Sequence, residues 1–172
     1  IIEKIDYLFR QAIRRAYDKD SQYGYKHLTA LSGGLDSRMT TWVANDMGYG
    51  QDIVNMTFSQ SDYLDESIPK NIARDLRHEW IFKFFDNGLC LKDIEESVKL
   101  IGGSTIYSGI AHAKSMMDLI NKEKFGIFHT GQLGDVIIGT FSSFPQHKEL
   151  TEEMVKKIMY TPISYDIKID YS

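Results

Sequence analysis

Six consecutive residues, Ser32-Gly33-Gly34-Leu35-Asp36-Ser37, combine what a phosphate site needs. Two adjacent glycines let a backbone turn tightly and approach a ligand without Cβ interference. The N–H groups so freed, together with the positive end of a following helix, make a concavity suited to pyrophosphate. Ser32 and Ser37 add hydroxyl donors for phosphate oxygens. Asp36 would be repelled by bare phosphate, so its natural task there is to hold a Mg2+ that bridges to it. A Gly-Gly pair alone would be an ordinary strand-to-helix turn. The whole hexapeptide between a strand and a helix is far more specific. It lacks the Gly-Lys-Ser/Thr of a Walker loop and the third glycine of a dinucleotide fingerprint.

The elements around it supply that setting. His27 to Leu31 reads as a short buried strand running into the glycines, and a helix follows from Ser37 to about Met47, closed by Gly48. Ahead of them, Ile1, Ile5, Leu8, Phe9, Ala12, Ile13 and Ala16 recur at helical spacing, an amphipathic helix packed on something larger. Further strands are expected over Ile53 to Phe58, Glu79 to Phe85 and Phe125 to Thr130, with the turn pair Asn87-Gly88 after the third. Helices are expected from Asp65 to Leu76, Leu91 to Ile101 and Ile110 to Lys124; Pro69 is tolerable only near a first turn. Strands alternating with helices predict an α/β fold: a doubly wound, mostly parallel sheet with helices on both faces.

Bulk composition sets the outer limits. The chain has 172 residues, 42 % hydrophobic and 26 % charged, enough for one sizeable core. Net charge is −4, which leaves no basic footprint for nucleic acid. No apolar stretch approaches the roughly 20 residues that span a bilayer, so no membrane partner is expected. A single cysteine, Cys90, makes no internal disulfide and reads as a small core residue beside Leu89 and Leu91. A cytoplasmic, reduced setting fits.

A second motif, Thr130-Gly131-Gln132-Leu133-Gly134-Asp135-Val136-Ile137-Ile138-Gly139, follows the fourth strand. Both motifs therefore lie at the carboxyl edge of a parallel sheet, where open α/β sheets bind ligands. Asp135 is placed to join Asp36 on one Mg2+, a sensible way to hold pyrophosphate.

Ser-Gly-Gly-Leu-Asp-Ser resembles the PP-loop of the ATP pyrophosphatases, which cleave ATP to AMP and pyrophosphate while adenylating a substrate. The second motif resembles the Ser-Gly-Glu-Gly-(Ser/Ala)-Asp-Glu-(Leu/Val)-Phe-Gly-Gly stretch of the asparagine synthetase family. Phe58-Ser59 falls where that family contacts adenine, Asp65 matches an aspartate of the next helix, and Ser104-Thr105-Ile106 matches the segment leading to the substrate carboxylate. The resemblance covers residues 1 to 150. Residues 151–172 read as the start of a helical carboxyl-terminal part, incomplete here, in a domain excised from a longer protein. It implies an ATP- and Mg2+-dependent ligase that adenylates a small-molecule carboxylate and then forms an amide. Asp36 and Asp135 would be catalytic and metal-holding; Leu31, Ser32, Gly33, Gly34, Asp36, Ser37, Phe58, Ser59, Thr130 and Gly131 would contact the nucleotide. Ammonia would come from a glutaminase domain or another source outside this chain.

The departures are specific. Gln132 stands where the family has a glutamate, Leu133 where it has a glycine, Val136 where it has a second glutamate, and Tyr107 where it has an arginine. A glutamine is no general base, and Tyr107 removes a charge suited to a carboxylate or pyrophosphate. The β-lactam synthetase branch also changes the first of these positions, to tyrosine, so the change can accompany a new acceptor. Three alternatives stand beside this: an NAD-synthetase-like or tRNA-modifying PP-loop enzyme, a nucleotide-binding relative without catalysis, and an interaction module of flavodoxin-like shape. Of the remaining residues, Arg38 can reach phosphate or solvent, His112 can line the cleft, and His129 fits a core hydrogen bond. Asp62 or Asp65 fits an N-cap.

Overall fold

A computed structural model gives the fold, and it describes residues 1–92, 94–102 and 111–132. The order is α1 (Ile2–Gln22), β1 (Lys26–Ala30), α2 (Leu35–Ala44), β2 (Ile53–Ser59), α3 (Leu64–Leu76), β3 (Glu79–Phe84), α4 (Ile94–Ile101), α5 (Ala111–Met117) and β4 (Phe125–His129). The strands form one sheet in the order β3-β2-β1-β4. Every pairing is parallel, with Leu28 opposite Val54 on one side and opposite Phe128 on the other.

Alternation along the strands assigns the two faces. Leu28, Val54 and Met56 pack with Phe85, Met116 and Ile120, so α5 covers one face. Ile53 packs with Ile13 and Tyr17 of α1 and Val43 and Ala44 of α2 on the other. That second face is unusually polar: Thr29, Asn55 and Thr57 are buried on it. Each has a partner, Tyr17 Oη for Thr29 (2.9 Å), Thr41 Oγ1 for Asn55 (3.2 Å) and the Leu31 carbonyl for Thr57 (2.7 Å). Helices thus lie on both faces of a parallel sheet, as the sequence predicts.

Several elements differ in detail. α2 ends at Ala44 and gives way to a wide turn, in which Gly48 takes the left-handed backbone (φ 96°) that stops a helix. α5 stops at Met117 rather than running to Lys124, and a separate short turn over Lys122–Lys124 is capped by Asn121, whose side chain accepts from Glu123 N. Pro69 is not in the first turn of α3 but inside the helix. The carbonyl of Asp65, four residues earlier, therefore has no helical N–H to receive. Neither Asp62 nor Asp65 caps that helix: its N-cap is Tyr63, without a side-chain cap. In α1 only the second half of the apolar stripe is buried, while Ile2, Ile5 and Leu8 are exposed. No helix among the described residues is long and apolar enough to cross a membrane.

Candidate active site

The strand order makes a switch point. From β1 the chain moves outward to β2 and β3, then returns to place β4 on the far side of β1. The chain leaves β1 toward β2, on the side away from β4, and a crevice lies between the carboxyl ends of β1 and β4. A cleft of about 540 Å3 lies there, walled by Leu31, Ser32, Gly34, Asp36 and Ser37 after β1 and by Thr130, Gly131 and Gln132 after β4. Met56, Phe58 and Asp65 also line it. The size suits a small-molecule ligand.

The first loop is braced from within. Ser37 Oγ accepts from Ser32 N at 3.0 Å and lies 3.0 Å from Ser32 Oγ, while Gly34 N donates to Ser32 Oγ at 3.1 Å. Ser37 is buried, so its hydroxyl holds the loop's shape. Neither Gly33 nor Gly34 has a positive φ. A side chain at either would instead meet side-chain oxygens: a Cβ on Gly33 would lie 2.6 Å from Asp65 Oδ1, which can swing away, and one on Gly34 3.3 Å from Ser32 Oγ. Behind the loop, Leu31 N donates to Met56 O at 2.9 Å and Thr57 Oγ1 donates to Leu31 O at 2.7 Å. Both backbone groups of Leu31 are thus committed to β2. Trp80 Nε1 donates to the same Thr57 hydroxyl at 2.9 Å.

The amino end of α2 is left open. Gly34 is its N-cap and supplies no side chain, so among the described residues the first-turn amides have no side-chain acceptor. They carry the positive end of the helix dipole into the cleft. The carboxylate of Asp36, half-buried in that first turn, makes no hydrogen bond or ion pair to any described residue, while its main-chain carbonyl accepts from Thr40 Oγ1 at 3.1 Å. A carboxylate aimed into a cleft beside free amides suits a hard cation shared with an anion. Arg38 turns back, its Nε donating to Gly34 O at 3.2 Å.

The second loop is pressed on the first. A Cβ on Gly131 would lie 2.6 Å from Asp36 C and from Ser37 N, so only glycine permits this approach. Gln132 N donates to Thr130 Oγ1 at 3.4 Å. β4 is held in place from below by Asp20 of α1. Its Oδ1 accepts from Ile127 N at 2.8 Å, and its Oδ2 meets His129 Nε2 at 2.7 Å and His27 Nδ1 at 3.2 Å. Tyr17 stacks on the His129 ring at 3.9 Å. Burial lowers the pKa of His129, against the pull of Asp20, and pushes the Tyr17 phenol up to about 12. Asp20, His27 and His129 converge closely enough to be considered as metal ligands. Each is already hydrogen-bonded and fully enclosed, however, and the cluster acts as a strut between α1, β1 and β4.

Most sequence-assigned residues therefore meet in one place: Leu31, Ser32, Gly34, Asp36, Ser37, Phe58, Thr130 and Gly131. Gly33 is screened by Asp65, and Ser59 lies off the cleft with its hydroxyl on Gln60 O. His112 packs against Phe58, ring centroids 4.4 Å apart. Asp135, Leu133, Val136, Tyr107, the Ser104-Thr105-Ile106 segment and residues 151–172 lie outside the described residues. Asp20 escaped the sequence reading. The signal was there: it falls three residues after Tyr17 and seven after Ile13, an acid on the buried stripe of α1.

A family model described as asparagine synthase matches residues 4–168 of the chain. No curated protein matches it. Among solved structures, an NH3-dependent NAD synthetase from Campylobacter jejuni subsp. jejuni NCTC 11168, in complex with the nitrate ion, is similar with a TM-score of 0.55 at 14 % identity, over 92 % of this chain and 78 % of that one. At that identity the likeness is one of fold alone.

Proposed function

Because the chain belongs to the asparagine synthase family, we propose that it uses ATP to adenylate a small-molecule carboxylate and then forms an amide, releasing AMP and pyrophosphate. The observation that carries this reading is the backbone contact of Gly131 with Asp36 and Ser37, which builds one cleft from both motifs. ATP would lie across the carboxyl ends of β1 and β4, its adenine near Leu31 and Phe58 and its phosphates along Ser32 to Ser37. The uncapped amides of α2 donate to phosphate oxygens and carry the charge of the leaving pyrophosphate. Asp36, with Asp135 beyond the described residues, would hold Mg2+, and the ion when bound neutralises phosphate charge.

The substrate carboxylate attacks the α-phosphorus in line. A new acyl–O–P bond forms as the bond to the pyrophosphate oxygen breaks. An amine or ammonia then adds to the acyl carbon, and AMP departs with the bonding pair of the C–O bond. Positioning within a braced loop supplies most of the acceleration. A glutaminase unit or another ammonia source outside this chain would provide the nitrogen.

Gln132 favours a second reading. It lines the cleft where the family has a glutamate, and a carboxamide takes no proton from an incoming amine. A relative that binds nucleotide without adenylating anything would keep the first loop and lose this group. ATP–pyrophosphate exchange over a panel of amino acids and small carboxylic acids separates the two. Exchange with one panel member supports the ligase. Exchange with none, while Mg·ATP still raises the melting temperature, supports the second reading. No exchange and no thermal shift refutes nucleotide binding altogether.

A further inference from the structure

One amide of the phosphate loop is engaged by an anionic side chain from another element. Gly33 N donates to Asp65 Oδ1 at 2.9 Å. Asp65 lines the cleft and lies over Gly33, which is itself not part of the lining. The carboxylate is not needed by its own helix, since the N-cap of α3 is Tyr63, which makes no side-chain cap, and Asp62 N donates to Glu66 Oε2. Pro69 also leaves the Asp65 carbonyl one helical bond short. Asp65 is exposed, so rotating it away disturbs no core.

We infer that Asp65 makes this loop select the metal complex of its nucleotide over the metal-free form, an inference that rests on the ATP reading above. A phosphate oxygen that takes the Gly33 amide must displace the carboxylate, since one N–H serves one strong acceptor. With metal-free nucleotide, the phosphate takes over the amide, but the displaced Asp65, Asp36 and the phosphates are all anionic within one cleft, and no cation offsets their repulsion. With Mg2+ bound, a cation offsets both carboxylates. Asp65 therefore weakens binding of the metal-free form more than that of the complex. Gly33 and Asp65 act as one gate, and its key is the charge state of the ligand.

The test is calorimetric titration of ATP, once in EDTA and once with saturating Mg2+, on the wild-type protein, Asp65→Asn and Asp62→Asn. Asp62→Asn removes an equal charge three residues away at a left-handed position (φ 63°) that asparagine tolerates. The ratio of metal-free to Mg2+ dissociation constants is expected to fall about tenfold in Asp65→Asn, through tighter metal-free binding, and to stay at the wild-type value in Asp62→Asn. An unchanged ratio in Asp65→Asn overturns the inference. So does an equal fall in Asp62→Asn, which would make the effect a diffuse field rather than a contact. If the wild-type protein binds ATP under neither condition, the ATP reading itself fails, and this inference with it.

Discussion

Replacing Gly131 by alanine is the sharpest perturbation the site offers. Gly131 has no positive φ, so alanine is conformationally acceptable there and the whole effect is steric. The added methyl carbon would sit 2.6 Å from Asp36 C and Ser37 N and 2.9 Å from Asp36 Cβ. Ordinary carbon contacts lie at about 3.5–4.0 Å, so the two loops must part by about 1 Å. No rotamer change relieves this, because the obstacle is backbone that the Ser32–Ser37 hydrogen bonds hold. Overpacking of this kind costs about 1–3 kcal/mol, and a displacement near 1 Å in a catalytic constellation costs about 100-fold in rate. Gly33→Ala is the matched control: its clash is with the Asp65 side chain, which can swing away. Gly131→Ala should therefore melt several degrees lower and bind Mg·ATP about tenfold or more weakly, while Gly33→Ala keeps close to wild-type stability. Calorimetry and thermal melting read both. Wild-type affinity and melting temperature in Gly131→Ala would refute the idea that the two loops are in obligatory contact.

Asp20→Ala removes the acceptor of His129, His27 and Ile127 N together, and urea unfolding should show a loss of about 3 kcal/mol or more. Thr57→Val is nearly isosteric but strands the Leu31 carbonyl and the Trp80 indole; it should cost about 1–3 kcal/mol and shift the tryptophan emission. Burial lowers the pKa of both His78 and His129, the latter facing Asp20 and His27 beneath Tyr17. The unfolded chain then binds more protons than the folded one just below the ordinary histidine value. Stability should be complete above about pH 6.5 and fall as pH drops through the lowered values, by at most about 1.4 kcal/mol per unit per group. A flat urea midpoint from pH 7.5 to 5.5 would contradict this.

What could be read from the residues follows physical range. The strand, loop and helix around Ser32 to Ser37 were legible because glycine pair, hydroxyls and apolar run are contiguous, and their roles are local. So were the parallel strands and the left-handed turn at Asn87-Gly88. The strand order was not, because nothing in Phe125 to His129 says which edge it joins. Asp65 looked like a helix opener because its partner, Gly33, lies 32 positions away. Asn121, which caps the turn after α5, is visible as a cap only once Glu123 N is seen to use it. The reason for Gly33 and Gly34 was legible as space, but the neighbours that fill that space come from α3 and from within the loop.

The place of β4 also orders events in time. β1 pairs with β2 and β2 with β3, each the next strand in the chain, whereas Asp20 waits for Ile127 and His129, 107 and 109 positions later. Closures of that span are slow and come after local pairing. During synthesis, which releases the amino end first, the Ser32–Ser37 loop stands finished on one side and unwalled on the other until β4 arrives. A ligand of this cleft would therefore have no early foothold from which to guide the chain, and would reward only the state in which β4 has joined β1.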